Sequence, residues 1–452
     1  MKITLIGAGG VIFAQKFLKD IMLDPSLREA DVCMMDISEE RLSNSFKYAQ
    51  MTAEKLGVKP NFTMTTDLVE AVRNADYVIT VFRCGTLDCQ KLEYEIPAKY
   101  GVDQVVADTA GPGGIFRGLR VIKALLPIVD AMEKYCPGAY LLNYVNPMPI
   151  NTIAASMRAK TVNVIGLCHS VQGTLRSIAD KVGVPFKDLR TLTAGINHQA
   201  FFLKAEYQGK DIYPALFKAM EDPEIYNKDK VRFEIMRHFG YFPTESSGHG
   251  SEYIPYFRKR KELIEKFCNV EKGVSFCDGD GIEYAPMFCG VSGAAYHLGK
   301  QMQKVNDEKI VKMLNGEIAI DTEPSAEYAI QIISAIVNNR PFEANLNVMN
   351  HGLIPSLPPE CCVEVPCLVS GGGIQPTRIE NYPEQLAGLN RPLTGMHIMA
   401  AKGAVNASKR DIFHAVALDP LTAAVCSLDE IQAMTDELFE ALKDEIDDRF
   451  FQ

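Results

Sequence analysis

The chain has no run approaching the roughly 20 consecutive apolar residues that a membrane-crossing helix needs. Its start also lacks the pattern of a secretory signal, because Met1-Lys2-Ile3-Thr4-Leu5-Ile6 goes directly into a strand-like run. Both absences lead us to expect a cytoplasmic location. Cysteine spacing suited to a zinc ribbon is missing too: Cys361-Cys362 with Cys367, and Cys84 with Cys89, form no CxxC pair. Twelve cysteines spread over 452 residues without an export signal read as reduced, mostly buried thiols. Positive charge is in deficit, with 47 Lys and Arg against 57 Asp and Glu and a net charge of −10. We therefore expect neither nucleic acid nor an anionic membrane surface as a partner. Internal repeats and low-complexity segments are absent as well.

What is present suits a large globular core, with 47% hydrophobic and 23% charged residues. The first part alternates apolar strand-like runs with helical patterns, the signature of a parallel sheet with crossover helices. Expected strands are Ile3–Ile6, Val32–Met35, Phe62–Met64, Tyr77–Phe82, Val105–Ala107, Tyr140–Asn143 and Val162–Leu167, with helices such as Arg41–Lys55 and Gly118–Tyr135 between them. The expected fold class is α/β, a Rossmann-like doubly wound parallel sheet over 1–190. From there the pattern changes to longer mixed segments, including a Gly- and Ser-containing loop at 244–250 and the run Gly371-Gly372-Gly373. We read 191–452 as a second, α+β domain carrying substrate, metal and oligomer contacts. The acidic stretch Ser427–Phe450 reads as an amphipathic helix with a solvated face.

Gly7-Ala8-Gly9-Gly10-Val11-Ile12 follows a strand and opens a helix, where glycines let backbone amides approach a pyrophosphate. The pattern is incomplete, since Ile12 stands where the third glycine of GxGxxG belongs. Asp36 ends the next apolar strand, where a carboxylate can accept from both ribose hydroxyls and repel a 2′-phosphate, which favours NAD over NADP. Its competing reading is a cap for the following helix.

Cys168-His169 and Asn197-His198 lie at the ends of two apolar runs. A thiolate and an imidazole make a borderline-soft metal site, but adjacent residues at a strand end point in opposite directions. Cys168 with His198 would leave His169 free for proton transfer. A satisfied core cysteine and a buried histidine are the alternative.

The ordered set Gly7-Ala8-Gly9, Asp36, Asp108-Thr109-Ala110-Gly111-Pro112-Gly113-Gly114, Asn143-Tyr144-Val145-Asn146-Pro147-Met148, Cys168-His169-Ser170-Val171 and Gly195-Ile196-Asn197-His198 resembles glycoside hydrolase family 4. The resemblance continues through Gly240-Tyr241-Phe242, Thr244-Glu245-Ser246-Ser247, Cys361-Cys362-Val363-Glu364-Val365 and Asp419-Pro420, nearly the whole chain. Cys-His-Ser-Val is similar to the α-galactosidase branch. The resemblance implies a glycosidase outside the usual two-carboxylate scheme. C3 of the sugar is oxidised by bound NAD⁺, the C2 proton is removed by a base, and the C1 aglycone leaves with acid assistance. Water then adds at C1 and C3 is reduced again, with no net cofactor turnover.

Carried over by motif, Cys168 and His198 match the ligands of a divalent metal, normally Mn²⁺, and His169 the general acid. Asn146 matches a substrate-binding asparagine, with a turn before Pro147 as its plainer reading. Asp108 matches an acidic position that supports the base. For the base itself Tyr241 is the first choice, followed by Glu245, His249 and Tyr253; Ser247 occupies the position of an aspartate used in other branches. The resemblance also implies a homodimer or homotetramer.

Relatives that act on 6-phosphorylated sugars place an arginine ahead of the segment matching Ile96-Pro97, whereas Thr86–Glu93 contains none. An unphosphorylated α-galactoside, melibiose-like, is the expected small-molecule substrate. Arg83 and Lys91 keep an α-galacturonide, an α-glucoside or a 6-phospho-α-glycoside open. From another class, a simple NAD-dependent 2-hydroxy-acid dehydrogenase or a non-catalytic NAD sensor would share the N-terminal pattern but leave Cys168 and His198 unexplained.

Overall fold

The computed structural model describes residues 1–452. Six short strands, β1 (Lys2–Ile6), β2 (Asp31–Met35), β3 (Asn61–Thr65), β4 (Tyr77–Thr80), β5 (Tyr140–Asn143) and β6 (Asn163–Gly166), pair in parallel in the order β3-β2-β1-β4-β5-β6. That order, with a reversal between β1 and β4, is the doubly wound dinucleotide-binding arrangement. Helices cover both faces, so β1 reads Ile3-Thr4-Leu5-Ile6 with every one of these residues buried instead of alternating with polar ones. The exposed edge strand β3 carries the polar positions.

The sheet does not stop at β6. It continues through β10 (Phe342–Met349), β11 (Cys362–Ser370), β7 (Leu189–Ile196), β8 (Gln199–Tyr207) and β9 (Lys210–Asp211), all antiparallel, with β12 (Gly373–Pro376) hairpinned onto β11. Gly371 and Gly372 form that hairpin's tip, and Gly373 takes a φ of 85°. One core extends from Ile3 and Leu5 through Leu346 and Val365 to Met396. No helix is long and apolar enough to cross a membrane.

Local chemistry explains the helix limits near the site. Ser38 caps the helix Glu39–Leu56 by accepting from Arg41 N–H at 3.4 Å, and Gly57 ends it at a φ of 67°. The C-terminal helix Leu428–Ala441 starts with a capping box between Ser427 and Glu430 and buries Ile431, Met434, Leu438 and Phe439, the amphipathic face expected there.

Two expectations need correction. Val105–Ala107 is not a strand: the three N–H groups donate to the buried carboxylate of Glu252, which takes the place of a neighbouring strand. The 244–250 segment is not loop throughout, because Ser246 caps a short helix, Ser247–Tyr253.

Candidate functional site

The turn after β1 brings the glycines together with Asp36. Gly7 has a φ of 91°, and a Cβ there would lie 2.7 Å from Phe82 N. Gly9 N–H donates to Asp36 Oδ2 at 2.9 Å, and Asp36 Oδ1 accepts from Ser38 N–H at 3.0 Å. Asp36 therefore leaves the capping of Glu39–Leu56 to Ser38. Gly10 opens the helix Val11–Leu23 with no side-chain cap and no acidic residue in the first turn, leaving an N-terminus suited to an anion. Ile12 sits among Tyr48, Ile310 and Met313, away from β1, so the contact a third glycine would serve does not arise. The loop, its uncapped helix end and the carboxylate beyond β2 fit a dinucleotide.

A second group gathers past the ends of β5, β6 and β7. Cys168 Sγ, a His198 ring nitrogen and a Glu245 carboxylate oxygen lie within 4.8 Å of one another, and the corresponding atoms of Asp108, His198 and His249 form a second such set. His198 is buried, and its Nδ1 is 3.1 Å from Tyr253 Oη and 3.3 Å from Thr109 Oγ1. With Nδ1 facing these two hydroxyls, Nε2 is the ring nitrogen left without a hydrogen-bond partner in the chain. Burial, then the Glu245 and Glu364 carboxylates, push the Cys168 thiol far above its ordinary range. Beside them the Asn197 amide is buried with neither side-chain atom partnered. A thiol, an imidazole and a carboxylate within 4.8 Å of one another, the imidazole buried and the other two half-buried, fit a divalent cation, which would draw off the thiol proton and neutralise the acidic pair.

Asp108 lies at the same place, accepting from Asn146 Nδ2 at 3.0 Å and standing 3.9 Å from His249 Nε2. Burial works against its charge, but His249, His198 and Arg117 outweigh that and hold the carboxyl below the usual range. His249 Nδ1 meets Ser246 Oγ at 2.8 Å, and its ring stands edge-on to His198 with centroids 5.0 Å apart.

The adjacent Cys168 and His169 diverge as their position predicts. His169 turns to Glu327, with Nε2 2.5 Å from Oε2, and stacks on Tyr144 at 5.7 Å. The Glu327 carboxyl is buried, yet its contacts with His169 and Lys16 hold it below the usual range. The Tyr241 ring meets Tyr213 edge-on at 6.2 Å, and its hydroxyl makes no hydrogen bond within the chain. Ser247 donates to Asp229 Oδ1 at 2.7 Å. Of the other base candidates, Glu245, His249 and Tyr253 all belong to the cluster.

Several residues here escaped sequence reasoning. Asp229 binds Arg232 through two contacts of 2.7 and 2.5 Å, and Arg232 in turn donates to the Glu245 carbonyl, fixing Glu245 at a φ of 71°. Glu364, quoted in the Cys361–Val365 motif without a role, lies fully buried on β11 behind the cluster, its carboxyl pushed up to about 7 by burial against the pull of His198. Glu252 and Glu327 reach partners far along the chain, so spacing gave no signal for them. A cleft opens beside Asn146, lined by Phe13, Phe82, Arg83, Arg117 and Tyr144.

A doubly wound sheet with a glycine turn, a ribose-type carboxylate and a clustered thiol–imidazole–carboxylate set defines a dinucleotide-binding fold with a candidate metal centre. Residues 2–184 match the profile described as Family 4 glycosyl hydrolase, and residues 193–422 match its C-terminal domain. The chain is 37% identical to an alpha-galactosidase of Bacillus subtilis (strain 168) over 442 residues, 97% of this chain and 98% of that one. It is 32% identical to an alpha-galactosidase of Rhizobium meliloti (strain 1021), covering 97% and 88%. Among solved structures, a 6-phospho-alpha-glucosidase from gut microorganisms, in complex with NAD and Mn²⁺, superposes with a TM-score of 0.79 at 20% identity over 98% of both chains. The chain belongs to the family 4 glycosyl hydrolases.

Proposed function

We propose that this chain is an NAD- and Mn²⁺-dependent α-galactosidase that cleaves by oxidation at C3, elimination at C1 and re-reduction. The observation that carries the reading is the Cys168–His198–Glu245 donor set standing next to Asp108 and Asn146. Full-length likeness to two alpha-galactosidases supports the choice of sugar.

In this reading Gly7, Ala8, Gly9 and Gly10 hold the pyrophosphate and Asp36 the adenosine ribose. Bound NAD⁺ supplies reversible hydride transfer at C3, and a divalent cation supplies Lewis-acid polarisation of the sugar oxygens. Cys168 and His198 hold that cation, with Glu245 adding a third donor. Asn146 binds a sugar hydroxyl, its amide oriented by Asp108. Once C3 is a ketone, the C2–H bond is acidic; a base takes that proton, its electrons form C1=C2, and the C1–O bond breaks toward the aglycone. His169 gives the aglycone oxygen its proton.

For the base the surroundings favour His249 over Tyr241. Asp108 stands 3.9 Å from His249 Nε2, a carboxylate partner for the charge an imidazole gains on taking a proton. Tyr241 has no such partner. The absence of arginine from Thr86–Glu93 supports an unphosphorylated sugar. We further assign 1–190 to the cofactor half and 191–452 to the half that completes the site, in a cytoplasmic homodimer or homotetramer.

The deciding assay is hydrolysis of 4-nitrophenyl α-galactopyranoside under reducing conditions, with Mn²⁺ and NAD⁺ supplied together, singly and not at all. Release that needs both without accumulating NADH supports the reading. Net NADH production from a hydroxy acid would overturn it in favour of a dehydrogenase.

A further inference from the structure

Glu327 lies outside every motif discussed above, yet it touches the residue proposed as the acid. Its side chain is buried, with Oε2 2.5 Å from His169 Nε2 and Oε1 3.0 Å from Lys16 Nζ. The His169 side chain makes no other hydrogen bond within the chain, so Nδ1 is its unspent nitrogen. The ring stacks on Tyr144 at 5.7 Å and meets Tyr328 edge-on at 6.2 Å, while the rest of the side chain stays open to solvent.

The segment that presents Glu327 is itself tied to the helix behind the glycine turn. Lys16 meets Glu327, Lys19 pairs with Asp321, and Asp20 accepts from both Ser325 N–H, at 2.8 Å, and Ser325 Oγ. Three residues of Val11–Leu23 thus anchor 321–327. A freely rotating imidazole could offer either nitrogen to a leaving group; one held by a buried carboxylate offers only the other.

We infer that Glu327 is the positioning residue for His169, binding its Nε2–H so that Nδ1 faces the aglycone. The inference rests on the assignment of His169 as acid above. In the elimination the Nδ1 proton passes to the aglycone oxygen as that oxygen takes the C1–O electrons. His169 is left neutral with its remaining proton still on Nε2, donated to Glu327. Glu327 itself exchanges no proton.

The test compares wild type and Glu327→Gln on two α-galactosides, a disaccharide with a sugar aglycone and the 4-nitrophenyl galactoside. A poor leaving group needs the positioned proton and an activated one hardly does, so kcat/KM is expected to fall ~10²-fold on the disaccharide and under ~5-fold on the other. Mn²⁺ and NAD⁺ binding by calorimetry should stay unchanged. Equal losses on both substrates, or no loss, would overturn the inference. If Glu327→Gln does not fold, Lys16→Met loosens the same carboxylate and should shift the substrate ratio in the same direction; an unchanged ratio counts against the inference. Failure of the α-galactosidase reading shows separately, as a wild type that cleaves neither substrate with both cofactors present. In that event the His169 Nε2–H resonance decides: a slowly exchanging proton seen in wild type and lost in Glu327→Gln upholds the tie, and its absence from wild type overturns it.

Discussion

Tyr253 Oη lies 3.1 Å from His198 Nδ1, so the imidazole placed to bind a cation is oriented from behind by a buried phenol. Tyr253→Phe removes that partner while leaving Cys168 and Glu245 in place. Mn²⁺ affinity should fall ~10- to 100-fold, as for other lost partners of ligating histidines, with NAD⁺ binding intact. Cys168→Ser should lose metal-dependent hydrolysis outright. Calorimetric titration of each variant checks both, and unchanged Mn²⁺ binding in Cys168→Ser would remove the ligand assignment.

Deprotonation at C2 leaves an isotopic trace. Galactose released in D₂O should carry deuterium at C2 in wild type and in Tyr241→Phe. His249→Gln should lower both exchange and turnover by ~10²-fold or more. Loss of exchange in Tyr241→Phe with His249→Gln near normal would return the base to Tyr241.

Glu252 is a stability prediction. Its carboxylate accepts from the N–H groups of Val105, Val106 and Ala107 in a fully buried setting. Glu252→Gln turns two donors of its own into that space and should cost about 2–4 kcal/mol, read by denaturant unfolding. The Asp108 loop begins at the next residue, so activity should fall with stability.

Glu133 sets an acid-side dependence. Its carboxylate accepts from the N–H groups of Lys160, Thr161 and Val162, which lower its folded pKa to about 2. Because the folded value lies below the unfolded one of ~4.5, the stabilisation is complete above that value and disappears as pH falls toward 2. Glu133→Gln should flatten the stability profile between those limits. A mutant profile parallel to that of wild type would contradict this.

The parallel strands were legible because buried strands spell continuous apolar runs, and Ile3–Ile6, Tyr140–Asn143 and their neighbours do so. Val105–Ala107 has the same composition and was misread, since what pairs with its backbone is a carboxylate 145 residues or more away. At the site, Cys168, His198, Asp108 and Asn146 come together as the family resemblance implied. The pairing of Tyr241 with Tyr213 was not legible, because no pattern in the sequence states which aromatics meet. Glu327, Arg232 and Glu364 act through tertiary contacts with no periodicity behind them, and only the folded chain reveals them.

β6 joins β10 at Gly166 and Asn347, and β11 joins β7 at Glu364 and Gly195, so a single hydrogen-bonded fabric carries the ends from which Cys168 and His198 project. Swinging one half away from the other would break backbone pairs that a dry interior cannot replace. The reaction centre therefore has no hinge running through it. What stands open beside it is the cleft lined by Phe82, Arg83, Arg117, Tyr144 and Asn146.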